Sequence, residues 1–280
     1  MSVDGSLGLN FHGGSGDDAG IVIINGTPVN GSLSIDYHGG DGADEAGIVI
    51  IGGNVAAEGS YQLNFLGDRG DDHLRAEIDG LFVAGSFGSH FSGGDGADDI
   101  AQSVEQTEVV MGAGLEYHLD GGRGDDDLRA DVADTALLGT MEINFHGGAG
   151  NDTEIASLLN PALLTGSTTP AGSLLVNLWG EAGQDYLSCE AVGEMDGGLT
   201  LTCNSGQQSD TINTQLDLDP RGRGPIVALL KGSLGNDALT GLALGTRELS
   251  FLVDSFAGFD TAHITRNVTT RGMEEVFFVE

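Results

Sequence analysis

Apolar and polar residues alternate with a period of two along short stretches of this chain. The first six stretches place Leu7, Leu9 and Phe11; Leu33, Ile35 and Tyr37; Tyr61, Leu63 and Phe65; Phe87, Ser89 and Phe91; Leu115, Tyr117 and Leu119; and Met141, Ile143 and Phe145 on one face each. Such alternation predicts a β-strand with one buried face. Ser89 is the polar intruder. Two residues after each stretch a glycine-rich unit begins, such as GGSGDD at 13–18, GGDGAD at 39–44 and GGRGDD at 121–126. A second alternating run follows the unit, with Leu74, Ala76 and Ile78 or Leu128, Ala130 and Val132 on one side. A third short apolar run, as in LFVAG at 81–85, precedes the next copy.

The units end in Asp18, Asp44, Asp72, Asp98, Asp126, Asp152, Asp185, Asp210, Asp237 and Asp260, at spacings of 26, 28, 26, 28, 26, 33, 25, 27 and 23 residues. The first six copies also repeat in pairs of 54. Three short strands and three turns fit one such period, and none of the strands can bury its face alone. Stacked at about 4.8 Å they share one core. The expectation is an all-β, right-handed, three-sided parallel β-solenoid of about ten coils. It forms one domain over 1–280: regular coils over 1–159, irregular coils over 160–248, and the last coil and cap over 249–280. The irregular part carries two proline- and glycine-bearing insertions, at 160–172 and 217–225, which read as bulging loops.

Composition narrows the function. The 43 acids against 10 bases give a formal charge of −33, which repels nucleic acid and anionic lipid and attracts cations. No run approaches the roughly 20 apolar residues that cross a bilayer, so no membrane insertion is expected. The residues after Met1, SVDGSLG, contain no signal-peptide pattern. Two cysteines, Cys189 and Cys203, fall on inward slots of successive coils, which allows either a bridge or two buried thiols.

The glycine-aspartate turn has its own logic. Tight turns with positive φ favour glycine, and stacking such turns aligns carbonyls and carboxylates one coil apart. A bare column of aspartates repels itself. A hard cation with six to eight oxygen ligands, Ca²⁺, suits that column better than Mg²⁺ or Zn²⁺. GGDGADDIA (93–101), GGRGDDDLR (121–129) and GSLGNDALT (232–240) resemble the nonapeptide of the repeats-in-toxin, or hemolysin-type, calcium-binding family. The resemblance implies several bound Ca²⁺ ions, with Asp18, Asp44, Asp72, Asp98, Asp126, Asp152, Asp185 and Asp237 as carboxylate ligands. Asp210 and Asp260 are left out because their units lack the leading glycines. The family runs nonapeptides in tandem. Here each long coil has one, so a single ladder is implied.

Other signals read as by-products of the repeat. Arg69-Gly70-Asp71 and Arg123-Gly124-Asp125 arise wherever the variable third position is arginine. His12 with His38, and His90 with His118, share slots and read as side-chain stacks on a solvated face. The acidic-then-apolar ending EEVFFVE reads as a last strand, and it is also similar to the C-termini of proteins exported by type I secretion. The functional expectation is a non-enzymatic, calcium-stiffened structural or adhesive segment of a secreted or surface bacterial protein. It is expected to be monomeric, with a cell surface or polysaccharide as the partner class. The alternative is a polysaccharide-acting parallel β-helix enzyme, a lyase or glycosidase. The scattered bases and ubiquitous acids give that reading no specific site.

Overall fold

A computed structural model describes residues 2–159, 172–193, 197–219, 224–244, 250–255, 257–265, 269–273 and 275–278. The insertion expected at 160–172 lies outside them but for Gly172, and the one at 217–225 lies outside them over 220–223. Among the described residues there is no helix. The strands form three parallel sheets of eleven, eleven and five strands, each pairing with its counterpart one coil away. The chain is therefore a β-solenoid. Its ten aspartate corners bound about nine turns, slightly fewer than the coil count expected.

The first sheet holds the alternating stretches. Strand Ser6–Ser15 pairs with Ser32–Asp41 so that Leu7 meets Leu33, Leu9 meets Ile35 and Phe11 meets Tyr37. The second sheet holds the runs after the aspartate, Ala19–Asn25 beside Glu45–Ile51 and so on. The third side carries two-residue strands such as Pro28–Val29 and Phe82–Val83, in the first five coils only. The solenoid is thus three-sided in its regular half. Among the described residues of the later coils the third side contributes no sheet strand.

The core is one continuous column. Tyr37, Phe65 and Phe91 are buried in a row with ring centroids 5.9 and 4.7 Å apart. Tyr61, Phe87 and Tyr117 form a second row at 5.2 and 6.2 Å. Burying one such ring stabilises the fold by about 1.5–3 kcal/mol. The polar intruder Ser89 is compensated across the core, because buried Gln102 donates from Nε2 to its Oγ at 2.6 Å. Phe11 departs from the expected pattern. It faces inward like its counterparts but is 39% exposed, because no coil covers it on the outer side. Cys189 and Cys203 are both buried and unbridged, and burial pushes both thiols up, Cys189 to about 12.

Candidate functional site: an aspartate ladder at one corner

Each glycine-rich unit makes the corner between the first and second sheets. Its fourth position turns with positive φ, +136° at Gly124, where a Cβ would also run into the carbonyl of Gly96. That position's N–H donates to the third-position carbonyl one coil on, as from Gly42 to Arg69 at 2.8 Å and from Gly96 to Arg123 at 2.8 Å. The final aspartate then points back into the corner.

All ten aspartates join one ladder. The backbone N–H of Asp18 donates to Oδ1 of Asp44, that of Asp44 to Asp72, and the pattern continues to Asp237 and Asp260, nine bonds of 2.7–3.0 Å. The eight residues expected from the sequence are thereby brought together. Asp210 and Asp260 are in the ladder as well, although their units begin with serine. Ser255 donates from Oγ to Oδ2 of Asp260. Sequence reasoning weighed the glycines and passed over a hydroxyl as their substitute.

The second carboxylate oxygen has a different fate. Oδ2 of Asp44, Asp72, Asp98, Asp126, Asp152, Asp185, Asp210 and Asp237 is buried with no hydrogen-bond partner. Except at Asp210, whose unit begins with Ser205, it lies close to the leading glycine. A side chain at Gly93 would collide with Oδ2 of Asp98, and one at Gly67 would meet both Oδ2 of Asp72 and the carbonyl of Gly93. The missing side chain therefore makes room for the aspartate carboxylate to turn into the corner, and at Gly39, Gly67 and Gly121 a carbonyl of the next coil borders the same space.

Burial dominates the electrostatics. It pushes Asp98 and Asp185 up to about 7, and Asp72, Asp126, Asp152 and Asp210 up to about 6. Asp237 moves the same way. The backbone N–H that each Oδ1 accepts pulls in the opposite direction, and for most of them neighbouring carboxylates add to the rise. The ladder is thus satisfied on one oxygen and strained by charge on the other.

Glu154 was not recognised from the sequence. It occupies the slot filled by Leu128 and Leu187 in the adjoining coils. It is fully buried, neither oxygen has a hydrogen-bond partner, and burial raises its carboxyl well above the ordinary range. The signal was present: it stands two residues after Asp152, where the other good units have an apolar residue or glycine.

A second ladder runs outside the first, through the fifth position of the unit. The N–H groups of Ala43, Ala97 and Asn151 donate to Oδ1 of Asp17, Asp71 and Asp125 at 3.1, 2.9 and 2.8 Å. Both Arg-Gly-Asp tripeptides are absorbed here, with Arg69 against Asp41 at 3.6 Å and Arg123 against Asp95 at 3.5 Å. The paired repeat has its origin elsewhere: the turn after each third-side strand alternates between two residues, as at 30–31 and 84–85, and four, as at 56–59 and 110–113. On the outer face of the first sheet His12 stacks on His38 at 5.1 Å, and a column of His90, His118, His146 and Trp179 has centroid spacings of 4.8, 5.1 and 4.6 Å.

The donor set at the inner ladder suits a hard cation in part. Buried carboxylate oxygens without partners, those of Asp44, Asp72 and Asp126 beside a carbonyl of the next coil, are oxygen ligands of the kind calcium takes. Among the described residues no three His, Cys, Asp or Glu side chains converge on one point. The remaining ligands of an ion would therefore be backbone carbonyls. Compared with known protein families, curated proteins and solved structures, the chain matches none.

Proposed function

We propose that this chain is a structural, non-enzymatic β-solenoid rod whose corner ladder takes up several Ca²⁺ ions. The observation that carries the reading is the column of buried Oδ2 atoms without partners. Ten of the chain's 43 acids are stacked in this one column, and a divalent ion supplies the missing positive charge. Asp18, Asp44, Asp72, Asp98, Asp126, Asp152, Asp185 and Asp237 would hold the ions through Oδ2. Apart from Asp18, which begins the ladder as a donor, their Oδ1 atoms keep the coils in register by accepting backbone N–H groups. The leading glycines make room for those carboxylates in the corner.

A calcium-dependent rod belongs outside the cell or on its surface, where ions at about 10⁻⁴–10⁻³ M saturate modules of modest affinity. Adhesive or scaffolding use on a cell surface or polysaccharide follows from that location. The resemblance to exported repeat proteins supports it. The enzymatic alternative is disfavoured by the pairing of cations. Arg69, Arg75, Arg123, Arg129 and Arg271 each face an acid, Asp41, Asp99, Asp95, Asp131 and Asp254 respectively. A lyase holding a uronate needs such groups convergent and free.

The deciding experiment compares thermal melting in chelator and in millimolar calcium, with calorimetry to count ions. Because each ion would bind stacked coils and hardly the unfolded chain, its binding free energy adds to folding stability. Calcium is expected to raise the melting temperature strongly, and magnesium to do so poorly. Equal melting curves in calcium and chelator would remove the ion from the reading. A rod sensitive to pH but not to calcium would assign the neutralisation to protons, consistent with the raised carboxyls of Asp98 and Asp185.

A further inference from the structure

The outward side of the first sheet changes character in the later coils. Strands Ser173–Ala182, Gly198–Asn204 and Ile226–Lys231 are neighbours there, in register so that Trp179 meets Asn204 and Asn204 meets Lys231. The middle strand turns Thr200, Thr202 and Asn204 outward. Larger apolar side chains stand on both sides of it, Leu175 and Trp179 one coil before, Val227 and Leu229 one coil after. Two strand spacings, about 9.6 Å, separate these walls at the backbone. The result is a shallow trough across the rod, with hydroxyls and an amide on its floor.

Trp179 is the chain's single tryptophan. It is half-buried, and one face of its indole stacks on His146 with centroids 4.6 Å apart. The opposite face looks across the trough toward Asn204, which is too short to cover an indole. Asn204 is also turned to the following coil, where its Oδ1 accepts from Ser233 Oγ at 3.0 Å. No acid stands at the outward positions that form the floor and walls, although the same face carries Asp36, Glu116, Asp120 and Glu142 in earlier coils. The acids that border the trough are engaged. Glu142 accepts from Asn144 at 3.0 Å, Glu181 faces His146 at 3.1 Å and Asp254 faces Arg271 at 3.9 Å.

We propose that this trough binds a neutral saccharide chain, with one sugar ring stacked on the free face of Trp179. The inference rests on the reading of the chain as an adhesive rod, and gives that rod a place of attachment and a ligand class. A pyranose ring offers apolar C–H faces and a rim of hydroxyls. The walls match the faces, and Thr200, Thr202 and Asn204 match the rim as donors and acceptors. Charge sets the class. The chain's −33 repels a polyanion. A polycation is drawn to the acidic corner in preference to a trough whose one charged wall residue is Lys231. A neutral polymer escapes both effects, and here it meets apolar surface with little charge to desolvate.

Trp179 reports on its own site. Emission from the whole chain in millimolar calcium is titrated with soluble neutral polymers (a β-glucan, a galactomannan and a xyloglucan) and with polygalacturonate as the anionic comparison. The expected result is a blue shift with at least one neutral polymer and none with polygalacturonate. Electrophoresis through gels containing that polymer then compares variants. Trp179→Ala should weaken the retardation at least about tenfold. Because that variant can also loosen the stack on His146, Thr202→Arg fills the trough and keeps the indole. It should abolish the emission shift at an unchanged melting temperature. No shift with any of the neutral polymers, a preference for polygalacturonate, or binding that survives both variants overturns the proposal. So does an emission shift that follows protein concentration without polymer, which assigns the trough to a second copy. Melting in calcium and in chelator tests the ion reading separately. A rod that calcium stabilises and no neutral polymer shifts loses the trough alone, and one that binds polymer with equal melting curves loses the ions alone.

Discussion

Replacing Asp98 by alanine removes a hydrogen-bond acceptor, a buried charge and a candidate ion ligand together, and the three separate by condition. The acceptor is Oδ1, which takes the N–H of Asp72 at 2.8 Å. Leaving that buried N–H unpaired costs about 1–3 kcal/mol. The charge works in the other direction, because burial has pushed this carboxyl up to about 7. In chelator near pH 8 the variant is relieved of a carboxylate that the folded state disfavours, and its net loss is smallest there. In chelator near pH 5 the wild-type carboxyl is neutral, and the loss is the full cost of the missing acceptor. In calcium near pH 8 the variant also forfeits coordination and suffers most. At about 2–4 °C per kcal/mol, a loss of 2 kcal/mol lowers the melting temperature by roughly 4–8 °C, within reach of calorimetry. Hydrogen exchange should place the loosening in the third to fifth coils, since each coil touches only its neighbours. Asp98→Asn retains the acceptor, so it should lie within about 1 kcal/mol of wild type in chelator near pH 5 and resemble alanine in calcium. Identical losses in all three conditions would refute this reasoning, leaving the carboxylate as a hydrogen-bond acceptor and nothing more.

Phe65→Ala empties the middle of the aromatic row and should cost about 3–5 kcal/mol by chemical denaturation, with neighbouring coils collapsing only in part. Glu154→Leu restores the side chain found in the adjoining coils and should stabilise the protein by about 1–3 kcal/mol. A fall in melting temperature would instead assign that buried acid a partner. Stability in chelator should decline as pH rises from about 4 to 7. Across that window the folded chain holds protons on Asp72, Asp98, Asp126, Asp152, Asp185 and Asp210 that the unfolded chain has lost, so the proton-linked advantage fades as pH passes 6 and 7. A melting temperature that climbs over the same range would contradict the buried-carboxyl account.

The strands and their stacking were legible because the side-chain period of a strand is fixed at two. Once Leu33, Ile35 and Tyr37 alternate ahead of one unit and Tyr61, Leu63 and Phe65 ahead of the next, facing and register follow together. The aspartate column was legible for the same reason. Less accessible was what each oxygen does. Spacing places Asp72 beside Asp98, but whether Oδ1 meets an ion or an amide depends on where the backbone N–H points, and the turn sets that. The outer ladder stayed hidden because its acceptors change identity, from Asp17 and Asp71 to Asn151 and Ser209. Phe11 shows the limit of periodicity: alternation assigns a residue to the inward face, while its burial depends on whether another coil lies above it. The absence of third-side strands after the fifth coil among the described residues had a signal only in the lengthened loops.

The two ladders run in opposite senses, and this gives the rod a direction of assembly. At the inner corner an amide waits for the carboxylate of the coil made after it. At the outer corner the amide of a new coil finds a side-chain acceptor already in place after Asp17, Asp71, Asp125, Asn151, Ser209 and Asn236, and none after Ala43 or Ala97. A chain emerging from its N-terminus therefore adds most of these coils by a reciprocal exchange, receiving one bond and completing one that its predecessor lacked. The growing front always carries one unsatisfied inner amide, which only a coil carrying an aspartate in register can settle. Growth is thereby templated one layer at a time, and a coil that docks out of step leaves both ends of the exchange unmade.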